Sequence, residues 1–230
     1  VECVDCGYVD CGFGGLYEGF CLEDWGGCDL SLFWGAKGKG PAGGRNKKMV
    51  DDMLRYLDTT RYPIRNKLIF LLSERGGLRA KEIASITWSM VQDAQENLTD
   101  EIILPNSASK GKDGGRVIPM AKNLRKAMEK HKYNSKNTEP HHHIIQTERA
   151  SKTSAQVIVN IFQKWFADVG YDGCSSHSGR RTFITKAAKK ITTVGGSLKD
   201  VQDLAGHSSL QTTQRYIEGD SEARRKVVEL

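Results

Sequence analysis

At 230 residues, with 38% hydrophobic and 27% charged side chains, the chain has the composition of a folded globular protein, which argues against wholesale disorder. Its longest apolar run, around Leu68–Leu72, is too short for a membrane-crossing helix, and no charged-then-apolar signal opens the chain, so a cytoplasmic protein without a membrane partner is expected. The net charge of +6 is unevenly placed: residues 1–44 carry seven acids against two bases, −5, and the remainder carries 32 bases against 21 acids, +11. A remainder that basic suits a polyanionic partner, most simply nucleic acid, the plain alternative being a soluble basic surface.

Residues 1–34 form a Cys- and Gly-rich leader without helical or alternating periodicity. Five of the six cysteines, Cys3, Cys6, Cys11, Cys21 and Cys28, fall here, and only Cys174 lies beyond. A disulfide-built secreted fold would not leave its main domain with one cysteine, so a reduced compartment is expected. Cys3-x2-Cys6 with Cys21-x2-Asp24 has the spacing of a small zinc ribbon with one carboxylate ligand. That reading leaves Cys11 and Cys28 unexplained, and a disordered or non-native leader is the reading preferred over zinc. Residues 35–45 are a Gly-rich linker, and 46–230 the main domain.

From Asn46 the pattern is helical. Val50, Met53, Leu54 and Leu57 share one helix face, Tyr62-Pro63 opens a more buried helix through Ile64–Leu72, and a third is expected over Ala80–Trp88. Glu101–Leu104 and Arg116–Pro119 read as short strands, and the polar stretch 107–115 makes them a hairpin. Helices follow near Lys122–Lys130, Ser154–Val169, Ser178–Val194, Leu198–Ala205 and Leu210–Tyr216. His141-His142-His143, after Pro140, reads as a solvated loop. The expected class is mainly α with a small antiparallel β-sheet.

Four stations pair cations or imidazoles with punctuating glycines. In Gly76-Gly77-Leu78-Arg79-Ala80-Lys81-Glu82, Arg79 stands where a helix begins and can aim its planar fork at a phosphate; alone, it reads as a surface or capping arginine. Lys110, with Lys112 as its competitor, sits in the hairpin turn as a mobile point charge. His177 and Arg180 are three apart in Ser175-Ser176-His177-Ser178-Gly179-Arg180, which puts them on one helix face, away from the apolar Phe183, Ile184, Ala187, Ala188 and Ile191. In Leu204-Ala205-Gly206-His207 a glycine ends a helix and a histidine occupies the bend, with Tyr216 nine residues on.

In this order the stations resemble the tyrosine recombinase, or phage-integrase-type, family, over roughly residues 46–230, and compact bacterial integrases in particular. Gly77–Ile83 is similar to the first-arginine motif with Glu82 as its supporting acid, His177-Ser178-Gly179-Arg180 to the H-x-x-R motif, Leu204–His207 to the L-G-H element, and Tyr216 to the nucleophile. The resemblance implies the DNA breaking-rejoining fold and a site-specific recombinase acting on double-stranded DNA as a homo-oligomer, a tetramer on paired sites. It also implies catalytic roles. Tyr216 attacks to give a 3′-phosphotyrosine, Arg79 and Arg180 clamp the non-bridging oxygens, and Lys110 protonates the leaving 5′ oxygen. His177 moves the tyrosine proton and His207 hydrogen-bonds the phosphate. A phenol is a poor nucleophile at neutral pH, so its proton must leave during attack. The phosphotyrosine keeps the bond energy, so neither ATP nor a metal cofactor is expected.

The family's separate N-terminal DNA-clamping domain has no counterpart ahead of Asn46, so a catalytic-domain-only enzyme, an accessory clamp partner or a fragment is expected. Two other readings share the fold: a catalytically silent DNA-binding protein and a type IB topoisomerase-like strand relaxer. The intact residue set argues against the first. The amphipathic segment Ala223–Val228, suited to docking on a neighbouring subunit or folding back on its own domain, bears on the second.

Overall fold

The computed structural model describes residues 44–108, 115–148 and 150–216. The leader with its zinc alternative (Cys3, Cys6, Cys21, Asp24), Lys110 and Lys112 in the hairpin turn, and the tail beyond Tyr216 lie outside the described residues.

The architecture is mainly helical with one two-stranded antiparallel sheet, as the periodicity predicts. Helix α1 spans Gly44–Asp58 and α2 Pro63–Glu74. Pro63 suits the first turn of α2, where its missing N–H is no loss. Residues Leu68 to Glu74 are all buried, which makes α2 the central element rather than a surface helix. It packs against α1, against α4 (Lys122–Tyr133) and against α6 (Ser176–Lys190), while α3 (Ala80–Ser85) packs on α5 (Ala155–Asp168). Ser154 caps α5, its hydroxyl accepting from Val157 N at 3.2 Å. Met53, Leu57, Leu68, Phe70, Leu72, Trp88, Phe162 and Phe166 fill the main core.

The third helix is shorter than expected. It stops at Ser85, Ile86 turns extended, and a separate 3-10 turn covers Trp88–Met90. Tertiary hydrogen bonds explain the break: Trp88 N donates to His142 O (3.1 Å) and Ile144 N to Ile86 O (3.0 Å), with Thr87 bridged to His143. The histidine stretch expected to be a solvated loop therefore pairs with the chain after α3. His141 is exposed, but the following Ile144 and Ile145 enter the core.

Strands β1 (Glu101–Leu104) and β2 (Arg116–Pro119) pair with Ile102 opposite Ile118 and Leu104 opposite Arg116. Alternation turns Ile102, Leu104 and Ile118 inward and leaves Ile103 and Val117 exposed. Beyond α6 a 3-10 turn, Ile191–Val194, ends at Gly195, and α7 (Leu198–Ala205) and α8 (Leu210–Gln214) follow. Helices α6 and α7 share a smaller apolar cluster of Ile184, Ala188, Val201 and Ala205, against which Tyr216 packs. Among the described residues no helix is long and apolar enough to cross a membrane.

Candidate active site

The site is built around the C-terminal end of α7. Gly206 ends that helix in the left-handed region (φ 59°, ψ 50°), where an L side chain would be strained. The turn is held by His207 N donating to Gln202 O (3.1 Å) and Gln202 Nε2 donating to His207 O (2.9 Å). The last carbonyls of a helix lack intrahelical partners and carry its negative end. Here two arginines meet them: Arg180 Nη2 donates to Ala205 O at 2.5 Å, and Arg79 Nη2 to Gly206 O at 2.9 Å.

Arg180 reaches that position because α6 lies close against α2. A Cβ on Gly179 would stand 2.6 Å from Ser73 Oγ, so only glycine permits the approach. Lys186 Nζ adds a 2.8 Å bond to the fully buried Glu74 on α2. The Arg180 guanidinium, 5% exposed, also donates through Nη1 to Gly77 O at 2.5 Å. Burial, then the positive charges of Arg79 and Arg116, bring its pKa down to about 9, so it stays a cation at neutral pH.

Arg79 stands at the N-cap of α3, as its place after two glycines suggests. Its main-chain N donates to Glu82 Oε2 (2.7 Å) and its Nη1 to Glu82 Oε1 (2.8 Å). Glu82 is wholly buried. Burial alone would push its pKa up, but hydrogen bonds and charge from Arg116, and then from Arg79, outweigh it and hold the carboxyl below its ordinary value. Arg116 is the residue that the sequence reading misses. It grips Glu82 with both ends of its fork, Nη1 to Oε1 at 2.8 Å and Nη2 to Oε2 at 2.9 Å, and its side chain is 4% exposed. The available signal is strand alternation: Arg116 is two residues from Ile118 and so shares its inward face.

His207 lies beside this cluster. Its Nδ1 is bonded to the buried Thr213 hydroxyl at 2.9 Å, and its ring stacks on Tyr216 with centroids 5.7 Å apart and planes 20° from parallel. Burial first, then the charges of Arg180, Arg79 and Arg116, depress its pKa to about 4, so the ring is neutral at neutral pH. Tyr216 itself is half-buried, its main-chain N donating to Thr213 O at 3.1 Å.

The structure thus brings Arg79, Glu82, Arg180, His207 and Tyr216 together. His177 differs from expectation: α6 begins at Ser176, and within its first turns Arg180 is buried while His177 is exposed. The three-residue spacing makes them neighbours, but the boundary between core and solvent runs between them. No described residue hydrogen-bonds the His177 ring. Elsewhere among the described residues, ligand atoms of Glu139, His141 and His142 lie within 4.8 Å of one another on a largely exposed loop, and nothing there indicates that a metal is held.

Comparison with known proteins gives this cluster a context. The chain is 26% identical over 184 residues to tyrosine recombinase XerA of Pyrococcus horikoshii, covering 80% of this chain and 60% of that protein. It is 31% identical over 172 residues to tyrosine recombinase XerC of Rickettsia bellii, covering 73% of this chain and 51% of that one. The chain therefore spans only between half and two thirds of the length of these relatives. Among solved structures it superposes on the XerA recombinase with a TM-score of 0.60 at 21% identity, over 79% of this chain and 60% of that one. It also superposes on the Tn1549 transposon integrase in complex with a circular intermediate DNA, with a TM-score of 0.62 at 18% identity, over 84% of this chain and 67% of that one. The model of the phage integrase family matches residues 46–222, from within α1 past Tyr216, so the chain belongs to that family, the tyrosine recombinases.

Proposed function

We propose that this chain is a site-specific DNA recombinase that cleaves and rejoins strands through a 3′-phosphotyrosine at Tyr216. The observation that carries the reading is the convergence of Arg79, Arg180, His207 and Tyr216 on the end of α7. Each guanidinium has five N–H donors, and the bonds described for it occupy two, so both keep donors for a phosphate. Cleavage forms a bond between the Tyr216 oxygen and phosphorus and breaks the bond to the 5′ oxygen. Arg79 and Arg180 stabilise the charge that grows on the non-bridging oxygens. His207, with Nδ1 held by Thr213, offers Nε2 to the phosphate. His177 carries away the tyrosine proton, and Lys110, with Lys112 as its alternative, supplies one to the departing oxygen. The phosphotyrosine retains the energy of the broken bond, so the reverse step rejoins DNA without ATP or a metal.

Double-stranded DNA is the proposed substrate. Support comes from the +11 charge of residues 45–230 and from similar folds solved with DNA, the Tn1549 integrase and the XerH recombinase bound to difH. A homotetramer on paired sites, with a clamp supplied from outside residues 46–230, completes the reading.

The test is covalent trapping on nicked duplexes drawn from a random-sequence pool. An SDS-resistant protein–DNA adduct should form with the wild type and be absent with Tyr216→Phe. DNA binding without any adduct would favour the silent DNA-binding protein instead, and relaxation of supercoils without exchange of strands would favour the topoisomerase-like reading.

A further inference from the structure

We infer that Arg116 is a positioning residue of this site: it offsets the charge of Glu82, so that the acid orients Arg79 without neutralising it. The inference rests on the phosphotyrosine reading above.

Glu82 is needed to fix Arg79, since it accepts both the main-chain N and Nη1 of that residue. A lone carboxylate at 2.8 Å would, however, cancel the positive charge that Arg79 brings to a phosphate. Arg116 binds the same two oxygens, which fills the four lone-pair positions of the carboxylate. The resulting group of Arg79, Arg116, Arg180 and Glu82 holds three cations and one anion, net +2. A phosphodiester is a monoanion, and its pentavalent transition state is a dianion, so the pocket matches the charge of the state to be stabilised. Removing Arg116 would drop the net charge to +1 and leave Glu82 facing Arg79 alone.

Burial of the ion group does not by itself account for the residue. Replacing a buried ion group by well-packed apolar side chains is often neutral or stabilising, so a buried guanidinium with 4% exposure is weak evidence for a structural role. Its position is also closely set. A Cβ on Gly206 would stand 2.7 Å from Arg116 Nη1, so the fork lies directly against the turn whose carbonyl holds Arg79. The field of Arg116 reaches both Arg180 and His207, since it contributes to lowering the pKa of each.

The test uses single-turnover adduct formation on trapped random-pool substrates. Each duplex is made with either a normal scissile phosphate or a methylphosphonate, in which a methyl group replaces one charged oxygen. Wild type, Arg116→Met, Arg116→Lys and the double variant Arg116→Met/Glu82→Gln are compared, with DNA affinity measured in parallel. On the phosphate, Arg116→Met should react roughly tenfold to a hundredfold more slowly at unchanged DNA affinity, at or below the cost of losing a direct transition-state donor. On the methylphosphonate the gap to wild type should close, because less negative charge awaits stabilisation. Adding Glu82→Gln should restore most of the rate on the phosphate, and Arg116→Lys should lose less than Arg116→Met. An equal defect on both substrates, with the double variant slower than the single, would overturn the inference and leave Arg116 a packing residue. If the methylphosphonate is inert with every protein, the double variant decides alone; if Arg116→Met does not fold, Arg116→Lys and the double variant carry the comparison. Wild type that forms no Tyr216 adduct sinks the phosphotyrosine reading itself, an outcome distinct from variants that match a reactive wild type.

Discussion

Helix α6 carries two candidate site residues three positions apart, and their surroundings are opposite. Arg180 is buried and fixed by the carbonyls of Gly77 and Ala205, whereas His177 stands exposed in the first turn. The contrast extends across the site. On one side Arg79, Glu82, Arg116 and Arg180 form a buried, interlocked group on the end of α7. On the other, the groups assigned to proton transfer and attack, His177 and Tyr216, lie at or near the surface. Charge stabilisation is most effective when its donors are already oriented and need no reorganisation during reaction. In the proposed reaction, the proton carrier and nucleophile must instead reach a DNA backbone that arrives from solvent. Burial and exposure within one helix thus match the division of chemical labour in the proposed reaction.

Substitutions should separate the two sides, the largest effect coming from the buried one. Glu82→Ala leaves Arg116 buried without its counter-charge, and urea unfolding should show a loss of about 3–5 kcal/mol. Arg180→Ala should reduce adduct formation about a thousandfold. It should also cost about 1–3 kcal/mol of stability, because the carbonyls of Gly77 and Ala205 lose their donor. His177→Ala sharpens the contrast: cleavage should fall about a hundredfold or more, while unfolding should stay within about 0.5 kcal/mol of wild type. A His177→Ala protein as destabilised as Arg180→Ala would break the comparison. Gly206→Ala forces an L residue to φ 59° and puts its methyl against Arg116, so a loss of about 1–3 kcal/mol is expected.

The smallest effect concerns pH. His207 titrates near 4 in the folded chain against an ordinary 6.5, so the unfolded chain takes up the proton first. Its contribution to stability is complete above about pH 6.5 and is lost as the pH falls towards 4. Glu82, also lowered, contributes above the ordinary carboxylate range and is lost at still lower pH. His207→Gln should therefore flatten the stability profile between pH 6.5 and 4 while leaving the steeper acid limb. An unchanged slope in that window would show that burial and the charges of the three arginines do not lower the His207 pKa.

Much of this arrangement is legible in the sequence, and for definite reasons. Helix α7 and both strands fall on the expected residues because local signals bound them: Ser197 and Gly206 flank the helix, and alternation marks the strands. Arg79, Arg180, His207 and Tyr216 stand beside glycines or helix ends, which the motif order makes recognisable. What escapes depends on partners distant in sequence. Glu82 and Arg116 are 34 residues apart, and nothing local at Arg116 announces a bidentate pair. The early end of α3 is likewise set by main-chain bonds to residues 142 and 144, not by a breaker in the helix. The burial of Arg180 opposite an exposed His177 is a matter of degree that a three-residue spacing does not resolve.

The most direct test of the account is to locate the phosphate. The trapped adduct would be digested with nuclease and protease, and the modified peptide sequenced by mass spectrometry. A nucleotide remnant is expected on the Tyr216 oxygen, linked through a 3′-phosphate, and no modified peptide from Tyr216→Phe. A remnant on another residue, or an adduct that survives Tyr216→Phe, would contradict it.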